Sequence, residues 1–223
     1  MPKPSSLLPG YTYEPGTGRY RGGDGRFVSR GRITDLLADA IAGNERQMLR
    51  NVTAYVEGRL DPQTWVADQS LALKREYLQN AALGAGGWDR LTQRDYGRIG
   101  GKLGAEYGRM ANLAEQIAAG EATLPQALNR VHMEQGGAHT VFFETERDHM
   151  PPAPDGMTRL ERRVLGESEH CEDCLTYYEQ GWAHEGELPV PGEASQCLTN
   201  CRCMLLQKIV PADEAEQWIG TKG

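Results

Sequence analysis

Residues 170–203 read HCEDCLTYYEQGWAHEGELPVPGEASQCLTNCRC and contain every cysteine of the 223-residue chain. A Cys-x2-Cys turn places two sulfurs on one side of the backbone, and a returning chain can supply the other ligands of a metal ion. The cysteine pattern therefore decides how this part of the chain folds. The spacing is Cys171-x2-Cys174, a loop of 22 residues, and Cys197-x3-Cys201-x-Cys203.

The spacing predicts one structural zinc ion, because a closed tetrahedral site takes four thiolates. Cys171, Cys174 and Cys197 are the expected ligands. Cys201 and Cys203 compete for the fourth position, since alternate residues of an extended strand share a face. Two disulfides with one free thiol, a redox-active Cys-x2-Cys and a catalytic site are left open as alternatives.

Two histidines could replace a thiolate, although His170 is adjacent to Cys171 and His184 lies in the loop. The letters HCE also match the His-x-Glu of zinc deaminases. Those enzymes need a separate Pro-Cys-x2-Cys downstream, whereas the only Cys-x2-Cys here overlaps the histidine motif. The deaminase interpretation is rejected.

The segment around the cysteines, residues 157–210, is small enough that a metal would replace much of its core. Glycines and prolines predict turns within it, and residues 211–220 predict one or two helical turns. Short strands are predicted at Tyr177, Tyr178, Trp182, Val190 and residues 204–210.

Composition excludes several classes of protein. Hydrophobic residues make up 39% and charged residues 25% of the chain, so a core can form. No apolar run is long enough for a membrane span, and the N-terminus does not resemble a signal peptide. We therefore expect a reducing compartment, where clustered thiols bind metal more often than they form disulfides. The net charge of −7 argues against a general nucleic-acid binder.

Residues 1–32 are rich in proline and glycine and predict an extended arm, with a turn or hairpin around Asp24 and Gly25. Both a solvated tail and an arm that orders on a partner are left open. The arm is basic, and nucleic acid could be bound only through its arginines, Arg19, Arg21, Arg26, Arg30 and Arg32.

Residues 33–150 have the apolar period of helices and predict four helices joined by short connections, as in a bundle of helical hairpins. Asp61 and Pro62 predict the start of the second helix, and Thr92 with Asp95 predicts a capping box on the third. The sequence thus predicts a mainly α-helical protein with an arm (1–32), a helical domain (33–150) and a cysteine-rich zinc-binding module with a tail (151–223).

The third predicted helix contains an unusual glycine row, defined here as Gly97, Gly100, Gly101, Gly104 and Gly108. Each glycine inside a helix costs roughly 0.5–1 kcal/mol relative to alanine. Interleaved charges exclude a membrane helix pair. The row predicts close packing of another helix, within the chain rather than between copies, against Gly104.

The cysteine module resembles the C-terminal module of phage head morphogenesis proteins, the minor head proteins of the Mu F-like group. The resemblance lies in HCEDCLTY (170–177), GELPVPG (186–192) and CLTNCRCMLL (197–206). Cys197 stands where that family commonly has histidine, which preserves a four-ligand site. The residues before the module agree with the family only in helical character.

The resemblance implies a minor component of the virion head, assembled in the bacterial cytoplasm and acting in head assembly or in DNA packaging and release. Its implied partners are the portal or major capsid protein, with self-association as a further option. No enzymatic activity is implied, and the sequence contains no Ser/His/Asp set or phosphate-binding loop. The alternative is a zinc-containing adaptor or regulator that binds a host protein or nucleic acid.

Overall fold

The computed structural model describes residues 10–166, 169–197 and 201–222. It confirms a mainly α-helical protein with short antiparallel strands. Predictions for residues 1–9 and 198–200 lie outside the described residues. The elements are β1 (Thr12–Glu14), β2 (Arg19–Arg21), α1 (Arg30–Val56), α2 (Pro62–Ala85), α3 (Gln93–Ala118), α4 (Leu124–His149), β3 (Met157–Val164), α5 (Glu172–Glu179), β4 (Trp182–His184), β5 (Met204–Pro211) and α6 (Ala215–Trp218), with single 3-10 turns at Trp88–Arg90 and Ala212–Glu214.

Local sequence signals set the helix ends. The Asp61 side chain accepts a hydrogen bond from a backbone amide of the first turn of α2, where Pro62 also lies. Thr92 and Asp95 form the expected capping box on α3. α2 ends at Gly86, whose φ of +88° lies in the left-handed region that glycine adopts at little cost. The predicted starts of α2 and α3 are confirmed.

The bundle is organised around α2, which packs against α1, α3 and, most extensively, α4. Trp65 of α2 is fully buried and stacks on Tyr55 of α1, with ring centroids 5.0 Å apart. The Tyr55 hydroxyl donates a hydrogen bond to the Ala114 carbonyl of α3 at 2.8 Å. These contacts hold three helices around one aromatic pair.

Close approach of α2 and α4 depends on Gly84. A Cβ at this position would lie 2.9 Å from the backbone nitrogen of Glu146 and nearer still to the Phe142 carbonyl oxygen. Any side chain would push the two helices apart. The sequence indicated only a helix end at residues 84–87, whereas Gly84 lies inside α2.

The glycine row of α3 has the opposite environment. A Cβ at any of its five positions would meet no described atom within 4 Å, and all five glycines are exposed. The buried face of α3 instead carries Ile99, Leu103 and Met110. The prediction that Gly104 packs against another helix of the chain is therefore wrong, because the periodic glycines lie on the side of α3 that faces away from α2 and α4.

Residues 10–29 lie against the helices. β1 and β2 form an antiparallel hairpin, and a tight turn around Asp24 and Gly25 follows it, as expected. The Tyr20 hydroxyl donates a hydrogen bond to the Leu83 carbonyl at 2.7 Å, which attaches the hairpin to the end of α2. The sequence did not indicate this intramolecular contact.

The C-terminal strands form one antiparallel sheet in the order β4-β3-β5. Trp182 lies in β4 and residues 204–210 lie in β5, as predicted, and α6 supplies the expected helical turn. Tyr177 and Tyr178 are helical residues of α5, and Val190 lies outside the strands. The predicted strands at these three residues are therefore wrong. α5 begins after Cys171, whose carbonyl accepts the Leu175 amide, and runs through both tyrosines, whereas Val190 lies in a turn in which its carbonyl accepts the Glu193 amide.

The sheet and the helices share a second core. Arg147 of α4 forms a salt bridge with the fully buried Glu161 of β3, with Nη2 and Oε2 2.9 Å apart, and also donates to the Leu188 carbonyl. The shared core contains Ile33, Leu37, Ile41, Leu83, Phe142, Phe143, Leu188, Val190 and Leu205.

Among the described residues, no helix is long and apolar enough to cross a membrane.

Candidate metal centre

The five cysteines converge at one end of the sheet. Cys171 is the N-cap of α5 and Cys174 lies in its first turn, so both sulfurs lie at the start of this helix. Cys201 and Cys203 immediately precede β5, and Cys197 ends the described part of the long loop. The cluster has a buried interior and a more accessible edge, since Cys174, Cys201 and Cys203 are at most 2% exposed.

The sulfurs form two groups of three that share Cys174. Cys171, Cys174 and Cys197 form one group and Cys174, Cys201 and Cys203 the other, with the sulfurs of each group within 4.8 Å of one another. Cys174 Sγ lies 3.4 Å from Cys197 Sγ and 3.7 Å from Cys201 Sγ. Two sulfurs bound to one tetrahedral zinc at about 2.3 Å would lie about 3.8 Å apart. The cluster can therefore hold a metal ion.

The described cysteines are all free thiols. The separations of Cys174 Sγ from the sulfurs of Cys197 and Cys201, 3.4 and 3.7 Å, are far longer than the roughly 2.05 Å of a disulfide bond. The arrangement favours shared ligation over pairwise oxidation. Zinc as the identity of the metal remains a proposal.

Arg163 places a positive charge inside the protein beside these thiols. Its side chain is fully buried, and Nη1 lies 3.9 Å from Cys201 Sγ. The guanidinium also donates to the Pro189 carbonyl and lies over the Tyr177 ring. No carboxylate of the described residues forms a salt bridge with Arg163, and ionisation of Cys201 would place a compensating negative charge beside it.

The surroundings lower the pKa of two thiols, whereas burial raises the pKa of Cys174 and Cys197, and hydrogen bonding with Cys201 raises the pKa of Cys203. Hydrogen bonding from Cys203, together with the charge of Arg163, lowers the pKa of Cys201 to about 4 despite its burial. Burial opposes ionisation of Cys171, but hydrogen bonds from the Cys174 and Cys197 amides lower its pKa overall. A metal ligand must be a thiolate, and both positions are prepared for one.

Only one of the two histidines suggested as substitute ligands lies beside the cluster. His170 Nδ1 is 3.9 Å from Cys203 Sγ. His184 instead faces Glu216, with Nε2 3.7 Å from Oε1. The buried His139, which the sequence did not indicate, donates from Nε2 to the Cys203 carbonyl at 3.0 Å if it carries the proton there. His139 thus ties α4 to the cysteine cluster.

Arg163 and His139 gave little signal in the sequence. Arg163 belongs to the charged run RLERRV (159–164), and its burial follows from strand alternation, because Arg159 and Glu161 on the same strand are buried as well. Recognising that run as a strand would have placed all three on one face, but their charges would have indicated an exposed face rather than a buried one. His139 lies on a helix without any motif.

A cavity of about 390 Å³ lies between the hairpin, α4 and β5. Two arginines of its lining are paired: Arg30 binds Glu146 and donates to the Leu205 carbonyl, and Arg159 binds Glu185 with Nη1 and Oε1 2.8 Å apart. Arg19 and Lys208 also line the cavity, and each lies over an aromatic ring. The contacts of Arg30 join α1, α4 and β5 beside the cavity. The cysteine cluster is therefore the stronger candidate for a functional site.

Comparison of the chain with protein-family models, curated proteins and solved structures found no match. What the protein does must therefore be inferred from its own residues and their geometry.

Proposed function

We propose that this chain is a structural component of a bacteriophage head, a minor protein associated with the capsid or portal that acts in head assembly or in DNA packaging and release. The proposal is carried by the cysteine module, which combines the resemblance of residues 170–206 to minor head proteins with thiols gathered around Cys174. In this proposal the protein functions in the virion, after assembly in the bacterial cytoplasm.

Zinc is the proposed metal, because clustered thiolates at tetrahedral spacing suit this ion. Its role would be structural: the ion would join α5, the loop ending at Cys197 and the start of β5, which have few apolar residues of their own around the cluster. A site in which protein thiolates are the main ligands stabilises a fold rather than activating a substrate. No enzymatic activity is proposed.

Protein partners are proposed in preference to nucleic acid. Two of the five arginines of the arm are engaged within the chain, Arg21 with Glu14 and Arg30 with Glu146. Their charges are already compensated, so fewer arginines remain for phosphate contacts. The portal or the major capsid protein of the same phage is therefore the proposed partner.

The test is the composition of purified particles. Mass spectrometry of density-purified virions from the phage that encodes this chain should detect it, and deletion of its gene should yield defective or empty heads. Complementation with Cys174→Ser should fail, whereas His184→Ala, a histidine of the same module outside the cluster, should restore normal heads. Absence from intact particles would refute the proposal and favour the adaptor or regulator alternative.

A further inference from the structure

The cluster offers more sulfur ligands than one zinc ion can use. Four thiolates complete a tetrahedral site, yet the structure assembles five, and Cys203, the fifth, is buried with 1% exposure. If one ion were bound by the other four thiolates, Cys203 would remain beside Cys201 as a buried, polarisable sulfur without a metal bond. The two groups of three sulfurs suggest that none of the five is spare.

We propose that the cluster binds two divalent soft metal ions, two zinc ions in the cell, with the Cys174 thiolate as a bridge between them. The proposal rests on the zinc-binding module proposed above and extends it from one ion to two. Cys171, Cys174 and Cys197 hold the outer ion, and Cys174, Cys201 and Cys203 hold the inner one.

The position of Cys174 fits a bridging ligand. It is the only residue common to both groups, it is fully buried, and its sulfur lies 3.4 and 3.7 Å from one sulfur of each group. Both separations suit two ligands of one ion, which are about 3.8 Å apart at a bond length of about 2.3 Å. A thiolate sulfur has lone pairs for two metal bonds.

We assign His170 as the candidate for a further ligand of the inner ion. Its Nδ1 lies 3.9 Å from Cys203 Sγ, although neither of its ring nitrogens lies within 4.8 Å of all three sulfurs of the inner group, so the side chain would have to turn towards the ion. Adjacency to Cys171 made His170 a poor ligand for the same ion as Cys171. In the two-ion arrangement the neighbours bind different ions, which removes that conflict.

Charge balance also favours two ions. Two divalent cations, five thiolates and the buried Arg163 guanidinium carry no net charge. One cation with four thiolates and the same guanidinium leaves one negative charge in the interior, together with a neutral thiol. Because an uncompensated buried charge is costly, the neutral arrangement is preferred. The fully buried position of Arg163, 3.9 Å from Cys201 Sγ, is explained by this balance.

The experiment is metal counting on the full chain purified under reducing conditions. Elemental analysis and native mass spectrometry should find two zinc ions per wild-type chain. After exchange with cadmium-113, two resonances should appear and split each other by scalar coupling through the shared Cys174 sulfur. Cys203→Ser should retain one ion and His170→Gln should weaken the second by roughly 10-fold or more, while His184→Gln, the matched histidine control, should retain two.

The outcomes separate the two proposals. One ion per wild-type chain, whatever the variants retain, would overturn the two-ion proposal and leave the single zinc site standing. Two cadmium resonances without mutual coupling would overturn the bridging role of Cys174. A folded chain without any bound metal would overturn both this inference and the zinc site of the proposed function.

Discussion

Replacing Gly100, Gly104 and Gly108 of α3 together by alanine is expected to raise the free energy of unfolding by about 2 kcal/mol. All three positions are exposed within a helix, and a Cβ at each would meet no described atom within 4 Å. Alanine therefore adds no clash and removes the backbone entropy cost of glycine, roughly 0.5–1 kcal/mol per site.

Urea unfolding followed by circular dichroism, with zinc present throughout, would measure this gain. For a chain of this size it corresponds to a rise in Tm of roughly 4–8 °C. Gly84→Ala is the matched control, because it is the same substitution inside α2 with the backbone of α4 against it. There we expect a loss of roughly 1–3 kcal/mol from overpacking.

A triple variant that is no more stable than the wild type would refute the claim that the glycine row is open. If light scattering also showed that the wild type is an oligomer and the variant a monomer, the row would be a contact between copies. A lower free energy of unfolding for Gly84→Ala and a higher one for the triple variant would confirm that the surroundings of a glycine, rather than its spacing in the sequence, decide the effect of alanine on stability.

Three further predictions concern charge and the hairpin. Burial raises the pKa of Glu76 to about 8, above its unfolded value near 4.5, so the free energy of unfolding should fall as pH rises from 6 to 8. In urea titrations Glu76→Gln should abolish most of that fall. An unchanged dependence of the free energy of unfolding on pH would contradict the prediction. Arg163→Met should weaken zinc in a chelator competition by roughly 10-fold or more, whereas Arg162→Met, the adjacent arginine over Trp182, should not. Tyr20→Phe should lower the free energy of unfolding by about 1 kcal/mol, because it removes the hydrogen bond to the Leu83 carbonyl. Thermal unfolding would measure this loss. An unchanged stability would mean that this hydrogen bond does not hold the hairpin to α2.

The sequence predicted the features that depend on neighbouring residues. The caps at Asp61 and Thr92 were recognisable because their hydrogen bonds join residues three apart. The clustering of the cysteines was likewise implied by their spacing. These signals involve residues close together in the sequence, so they do not depend on how distant parts of the chain pack.

Features that depend on distant packing were missed. Gly84 and Gly104 look alike in sequence, yet only Gly84 faces another backbone, because the direction of a helix face is set by tertiary contacts. Arg163 had no sequence signal that marked it as buried, and its burial follows from the pairing of β3 with β5. Tyr177 and Tyr178 favour strands by propensity, but α5 begins directly after Cys171 and runs through both of them.

The shared core also constrains when the protein can reach its final state. Arg30 at the start of α1 donates to the carbonyl of Leu205, 175 positions later in the chain. At a synthesis rate of about 5–20 residues per second, roughly 10–35 s pass between the emergence of these two residues from the ribosome. During that interval the apolar face of α1 around Leu37 lacks its partners from the sheet. The nascent chain therefore depends on the residues around Leu205 to cover this apolar face, and a copy terminated before them would expose a surface that chaperones and proteases recognise.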